Sequence, residues 1–226
     1  MWLSDVFTNY ELECKTRDLF QVYRENKNLV FDKFEEYFGI SYKLAFGNKD
    51  PNLGIYDLLE EYYPNEFYIK KAFSMKYLKN SNQIFEYPVG DCRADIINVG
   101  KDISCYEIKT KYDNLKRLKK QIYEYSQLFE YVYVVCSEDK YNKVKSIVPK
   151  HCGIIVFKNR KNCAYNEMKK ATKSPNISSR AILEHFYQKD LINCYGENDK
   201  DDIEKKYSKE NILQDYKKVL YRRCID

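Results

Sequence analysis

The stretch IFEYPVGDCRADIINVGKDISCYEIKTKYDNLKRLKKQIYEY, residues 84–125, decides how the chain is read. Residues 103–109 alternate with the period of two expected of a strand. Side chains two apart on a strand share a face, so Glu107 and Lys109 point one way and Ile108 the other. Val99-Gly100-Lys101-Asp102 is a tight turn, which predicts a hairpin of residues 93–99 with 103–109. Counting back from the turn brings Asp95 near Glu107 across the ladder. Two converging carboxylates repel each other, and a hard divalent cation with oxygen ligands relieves them. With an ammonium alongside, that set suits phosphodiester hydrolysis, because a cation polarises the phosphoryl oxygen and acidifies water while the lysine offsets developing charge. The same pattern also occurs as plain surface ion pairing.

The following segment is predicted to be a helix. Asp113 is placed to cap it, and Leu115, Leu118, Ile122, Tyr125 and Phe129 recur at steps of three and four as a buried stripe. Arg117, Gln121 and Tyr125 succeed one another at i, i+4 and i+8 along one edge of that stripe. Such an edge can border the carboxylates while the stripe packs on the sheet.

Asp95, then Glu107-Ile108-Lys109, then Gln121-Ile122-Tyr123-Glu124-Tyr125, is similar to the PD-(D/E)XK nuclease superfamily in its RecB-like variety with a Q-x-x-x-Y helix. The wider string of Arg93-Ala94-Asp95, Tyr106-Glu107-Ile108-Lys109, Arg117-Leu118 and Gln121 resembles one family of small, poorly characterised bacterial proteins in that superfamily. Ala94 stands where the motif has its proline. The likeness spans roughly residues 65–190. It implies an α/β fold with a restriction-endonuclease-like core of helix, three-stranded antiparallel meander, helix and strand, with helical additions at both ends. It further implies Mg²⁺ or Mn²⁺ held by Asp95 and Glu107, aided by the main-chain carbonyl of Ile108. By the same resemblance Lys109 positions water or stabilises phosphoryl charge, and Gln121 orders that lysine or the water. Tyr125 lines the site, and Arg117 and Arg93 bind substrate. A helix before the first strand commonly carries a further glutamate in this superfamily. Glu66 matches by position and Glu86, on the strand-like run 84–89, is the other candidate.

The implied activity is that of a hydrolase cutting nucleic acid, DNA ahead of RNA, as an endonuclease in defence, repair or mobile-element biology. The alternative is a catalytically idle nucleic-acid-binding or adaptor protein on the same fold, docking a protein partner or forming a homodimer.

Composition sets the frame. The chain has 226 residues, of which 44% are hydrophobic and 32% charged, enough for a sizeable core and unlike a disordered segment. No apolar run approaches the roughly 20 residues that span a bilayer. The start, MWLSDVFTNYELECK, does not read as a signal peptide, so a cytoplasmic protein without membrane contact is expected. Eight cysteines without a C-x-x-C spacing and only two histidines argue against a Cys/His zinc site, and reduced cysteines acting as small hydrophobes are expected. Net charge is +5. The basic residues gather between Lys140 and Lys173, where Glu167 is the sole acid, and a polyanion would rest there. The 23 tyrosines chiefly fill the core.

In chain order, residues 1–64 read as a helical arm or cap, with a stop at Gly39 and a turn over residues 48–54. Residues 65–158 read as the nuclease-like core, opening on a helix over 65–78 with Asn65 as its cap. Buried strands are expected at 131–136 and 153–157, joined by a helix over 137–148. Residues 159–226 read as a basic and helical extension. In it 158–174 is irregular, 178–191 is one helix, and a last helix runs from Lys209 to a basic tail that could touch nucleic acid.

Overall fold

The computed structural model describes residues 3–158 and 164–225. Contacts divide them into two units, one within residues 3–69 and the other within 70–158 and 164–225.

The first unit is helical, with α1 at Asn9–Glu25, α2 at Val30–Phe38, α3 at Tyr42–Phe46 and α4 at Pro51–Tyr62. Local chemistry sets the ends. Thr8 and Glu11 cap α1 reciprocally, and Gly39, at φ 67°, closes α2 in the left-handed conformation that glycine tolerates. The turn expected over 48–54 is shorter than its sequence suggests, giving way at Pro51 to α4, because Asp50 caps that helix and Pro51 occupies its first position. Aromatic rings form the core: Phe34 stacks on Phe38 at 4.6 Å and meets Tyr42 edge-on at 5.4 Å. A β-carbon on Gly54 would fall 1.8 Å from the Tyr42 hydroxyl, so only glycine admits that ring against α4.

Helix α5, Glu66–Lys76, starts as expected, with Asn65 Oδ1 accepting the Tyr68 N–H at 2.9 Å. From Lys70 onward the chain belongs to the second unit, a mixed α/β structure with a six-stranded open sheet. Its strands are β1 Asn82–Val89, β2 Cys92–Val99, β3 Ile103–Lys109, β4 Tyr131–Ser137, β5 Gly153–Phe157 and β6 Tyr165–Lys169, in sequence order across the sheet. The first three form an antiparallel meander; β3, β4 and β5 run parallel. Parallel neighbours need crossovers, supplied by α6 (Leu118–Ser126) and α7 (Tyr141–Ile147).

One sheet face packs the stripe Leu118, Ile122, Tyr125 and Phe129 together with Leu183, Tyr216 and Leu220 of the C-terminal helices. On the other face Tyr106 stacks on Tyr133 at 5.3 Å, and Phe73 of α5 leans on Tyr106 at 5.2 Å. Cys92, Cys105 and Cys136 are buried free thiols in this sheet. No helix among the described residues is long and apolar enough to cross a membrane.

Four expectations change. The stretch 158–174 is not wholly irregular: Tyr165–Lys169 pairs antiparallel with β5, although residues 159–163 lie outside the described part. The single helix expected over 178–191 is two, α8 Ser179–Glu184 and α9 Gln188–Tyr195, since Asp190 Oδ2 accepts the Tyr187 N–H (3.2 Å) and starts a new cap. Beyond them, α10 (Lys200–Lys206) precedes α11 (Lys209–Ile225). Asp113 does not cap α6, because its Oδ2 accepts the Thr110 N–H at 2.7 Å and the Thr110 hydroxyl at 2.8 Å. The basic tail is largely structural: Lys217 pairs with Glu130 at 2.7 Å and Arg223 with Asp190 at 2.7 Å.

Candidate active site

The hairpin β2–β3 sets the site's register. Its last paired residues are Ile96 and Tyr106, and one further step places Asp95 opposite Glu107. There the backbone ladder stops. Asp95 takes over by accepting the Ile108 N–H on Oδ2 at 2.6 Å. On its other side the pairs Phe85–Ile96 and Tyr87–Ala94 bracket Glu86 and Asp95, so those two also stand across from each other. Glu86 has a left-handed φ of 55°, a conformation costly for a residue with a side chain. Carboxylate oxygens of Glu86 and Asp95 come within 4.8 Å. Three acids thus occupy one row across β1, β2 and β3.

Helix α6 holds the third acid. Gln121 Nε2 donates to Glu107 Oε1 at 2.6 Å, and the Tyr125 hydroxyl lies 2.9 Å from Glu107 Oε2 and 2.7 Å from the Arg93 carbonyl. Lys109, two residues along the strand and on the same face, donates to Glu107 Oε1 at 2.5 Å. Tyr125 is fully enclosed, so its hydroxyl serves Glu107. Gln121 Oε1 is buried without a hydrogen-bond partner.

The electrostatics follow from burial. Asp95 is pushed up to about 7, first by burial and then by the Glu107 charge, against the pull of Lys70. Burial also raises Glu107, opposed by Lys109, Tyr125 and Gln121. For Lys109, burial works to lower the pKa, but the charge and hydrogen bond of Glu107 more than offset it and the ammonium is retained.

Asp95, Glu107, Lys109, Gln121 and Tyr125 are therefore brought together as the sequence pattern anticipates. Glu86 joins them. Glu66 is the exposed first residue of α5 and belongs to the first unit. The exposed Arg93 guanidinium lies 4.0 Å from Glu86. Arg117 donates to the Asp91 carbonyl at 3.2 Å and stays at the surface. Sequence reasoning missed Lys70, whose ammonium is 2.9 Å from Asp95 Oδ1 and also pairs with Glu86. Only its place on the inward face of α5, next to Ile69 and one turn before Phe73, hinted at it.

Three carboxylates face two ammoniums and, farther off, the Arg93 guanidinium, and the donors are hard oxygens. Gln121 Oε1 remains unsatisfied beside them. That set fits a Mg²⁺ or Mn²⁺ ion and not a soft metal. A cavity of about 870 Å³ elsewhere, lined by the β2–β3 turn, α9 and α11, includes none of these residues.

A family model described as Bacteriophage P4 protein cII matches residues 65–225. Among curated proteins the chain is similar to "Protein cII" of Enterobacteria phage P4, 28% identical over 108 residues, which is 46% of this chain and 41% of that protein. The aligned part therefore spans about two fifths of that relative's length. No solved structure matches the chain.

Proposed function

The chain belongs to the bacteriophage P4 protein cII family, and from the geometry of its sheet we propose that it is a Mg²⁺- or Mn²⁺-dependent nuclease on the PD-(D/E)XK plan. The observation that carries this is the convergence of Asp95, Glu107 and Lys109 from neighbouring strands, with Gln121 and Tyr125 of one helix fastened to the glutamate. A structural ion pair needs only Lys109 and Glu107. It does not need a second buried acid at the next register position, kept in repulsion with the first.

In this reading Asp95 and Glu107 hold the divalent ion, which supplies Lewis-acid polarisation of the scissile phosphate and acidification of water. The chain's own residues do the rest. Tyr125 and Gln121 fix the rotamer of Glu107, and the Ile108 N–H fixes that of Asp95, so neither acid must reorganise when substrate arrives. Lys109 presents a retained ammonium where negative charge develops on the phosphoryl oxygens. Arg93 and Arg117, at the rim, meet the flanking phosphates of nucleic acid, with DNA the preferred substrate.

The competing reading is a nucleic-acid-binding or adaptor module that does no chemistry. It has one observation in its favour, that Lys70 and Lys109 already neutralise two of the three acids. Incubation of labelled DNA with added Mn²⁺ separates the readings. The nuclease cuts only with the cation, whereas an idle module binds equally in EDTA and never cuts.

A further inference from the structure

Lys70 reaches the acidic row from α5, whose Phe73 packs on the sheet face opposite α6. Its side chain is only 12% exposed and its ammonium touches both Glu86 and Asp95. Asp95 has two oxygens to offer. Oδ2 is committed to the Ile108 N–H, which leaves Oδ1 for a cation, and Lys70 sits on Oδ1 at 2.9 Å. An ammonium and a divalent ion cannot share that oxygen without strong repulsion in so enclosed a place. Lys109 crowds Glu107 Oε1 in the same way, together with Gln121, while Tyr125 takes Oε2; what sets Lys70 apart is a second acid, Glu86, already within its reach.

Glu86 supplies the other half of the device. Its side chain is 47% exposed, and its left-handed backbone turns the strand so that its carboxylate faces Lys70. Four methylenes let Lys70 release Asp95 while keeping Glu86, so the ammonium has somewhere to go that is already formed.

We propose that Lys70 is a resident counter-cation, which holds Asp95 in the metal-free protein and is displaced onto Glu86 when a divalent ion binds. This rests on the reading of Asp95 as a metal ligand. Loading is then an exchange of ammonium for metal. It keeps the acidic row folded when metal is scarce and sets the concentration of free cation at which the site fills.

The test is calorimetric titration of the full chain with MnCl₂, comparing the parent with Lys70→Met, Lys70→Gln and Asp95→Asn, and with thermal melts in EDTA alongside. With the competitor removed, Lys70→Met binds Mn²⁺ about tenfold tighter than the parent, equal to about 1.4 kcal/mol, and melts lower in EDTA. Lys70→Gln, which keeps hydrogen bonds to both acids, serves if the methionine variant does not fold, and it too binds tighter. Affinity within twofold of the parent, or weaker, in the folded lysine variant overturns the exchange and makes Lys70 a support for Asp95. If parent and lysine variant bind no Mn²⁺ beyond what Asp95→Asn binds, the metal-site reading falls, and the exchange falls with it.

Discussion

Glu130 is a buried acid of the sheet-bearing unit, and replacing it with glutamine probes how the β2–β3 hairpin is held. Its side chain has no exposed surface. Lys217 of α11 lies 2.7 Å away, Lys173 2.9 Å away, and the Ile103 N–H at the start of β3 donates to it at 3.0 Å. Lys217 also donates to the Lys101 carbonyl in the β2–β3 turn at 2.9 Å. The cluster therefore ties α11 to the turn whose two strands carry Asp95 and Glu107. In Glu130→Gln the Ile103 bond can persist, but Lys217, 10% exposed, loses its close carboxylate and keeps only Asp102, 3.9 Å away, and the Lys101 carbonyl. Breaking such a pair from one side costs about 3–5 kcal/mol. Lys173 is well exposed and adds little. We expect a loss of about 3 kcal/mol in urea unfolding, or roughly 6–12 °C in Tm for a unit of this size.

The pair can be removed whole: Glu130→Leu with Lys217→Met should recover most of the loss. A glutamine variant within about 1 kcal/mol of the parent, or a double variant no better than the single, would refute the clamp. The pH dependence has a definite sign. Burial pushes Glu130 up, but Lys217, Lys173 and the Ile103 N–H outweigh it and hold its pKa below the usual 4.5. Its contribution is thus fully present above that value and lost as pH falls through the folded pKa. Glu130→Gln should flatten the acid limb of the stability profile.

Three further outcomes follow from the same structure. Tyr125→Phe removes a hydroxyl that serves both Glu107 and the Arg93 carbonyl; Mn²⁺ affinity should drop about 10–100-fold by calorimetry while the fold survives. Gly153→Ala puts a β-carbon 2.3 Å from the Tyr133 ring and 2.9 Å from the Ala171 nitrogen. Since Tyr133 is stacked on Tyr106 and cannot retreat, unfolding in urea should show about 1–3 kcal/mol of destabilisation. Gln121→Glu places a fourth carboxyl in the row beside Glu107; in EDTA it should lower the melting temperature, and saturating Mn²⁺ should restore part of the loss.

The parts legible in the sequence were those governed by short-range periodicity. The period of two over Ile103–Lys109 and the tight turn before it place Glu107 and Lys109 on one face, and the buried stripe of α6 brings Gln121 and Tyr125 to the glutamate. β5 is a run of five apolar residues and reads at sight. β6, YNEMK, is partly or fully exposed along its length and offers no alternation, so only pairing with β5 makes it a strand. The break between α8 and α9 contains no glycine or proline; it comes from Asp190, which is held in turn by Arg223, 33 residues away. Lys70 and Glu130 were missed for the same reason. Each is meaningful only through partners 16 to 87 residues distant, and a lysine on a helix or a glutamate before a strand reads locally as solvated surface. The basic tail shows the converse, where residues that look free for phosphate are spent on Glu130 and Asp190.

The central claim, that two acids and an amine on neighbouring strands form a metal-dependent phosphodiesterase, is tested most directly by one comparison. End-labelled duplex and single-stranded DNA are incubated with the parent chain, Asp95→Ala and Lys109→Ala, each with Mg²⁺, Mn²⁺ or EDTA. The account predicts cleavage by the parent only when the cation is present, and a fall of at least about 10³-fold in both variants with circular dichroism unchanged. An Asp95→Ala protein that cuts at the parental rate, or a folded parent that cuts neither DNA with either ion, would contradict it.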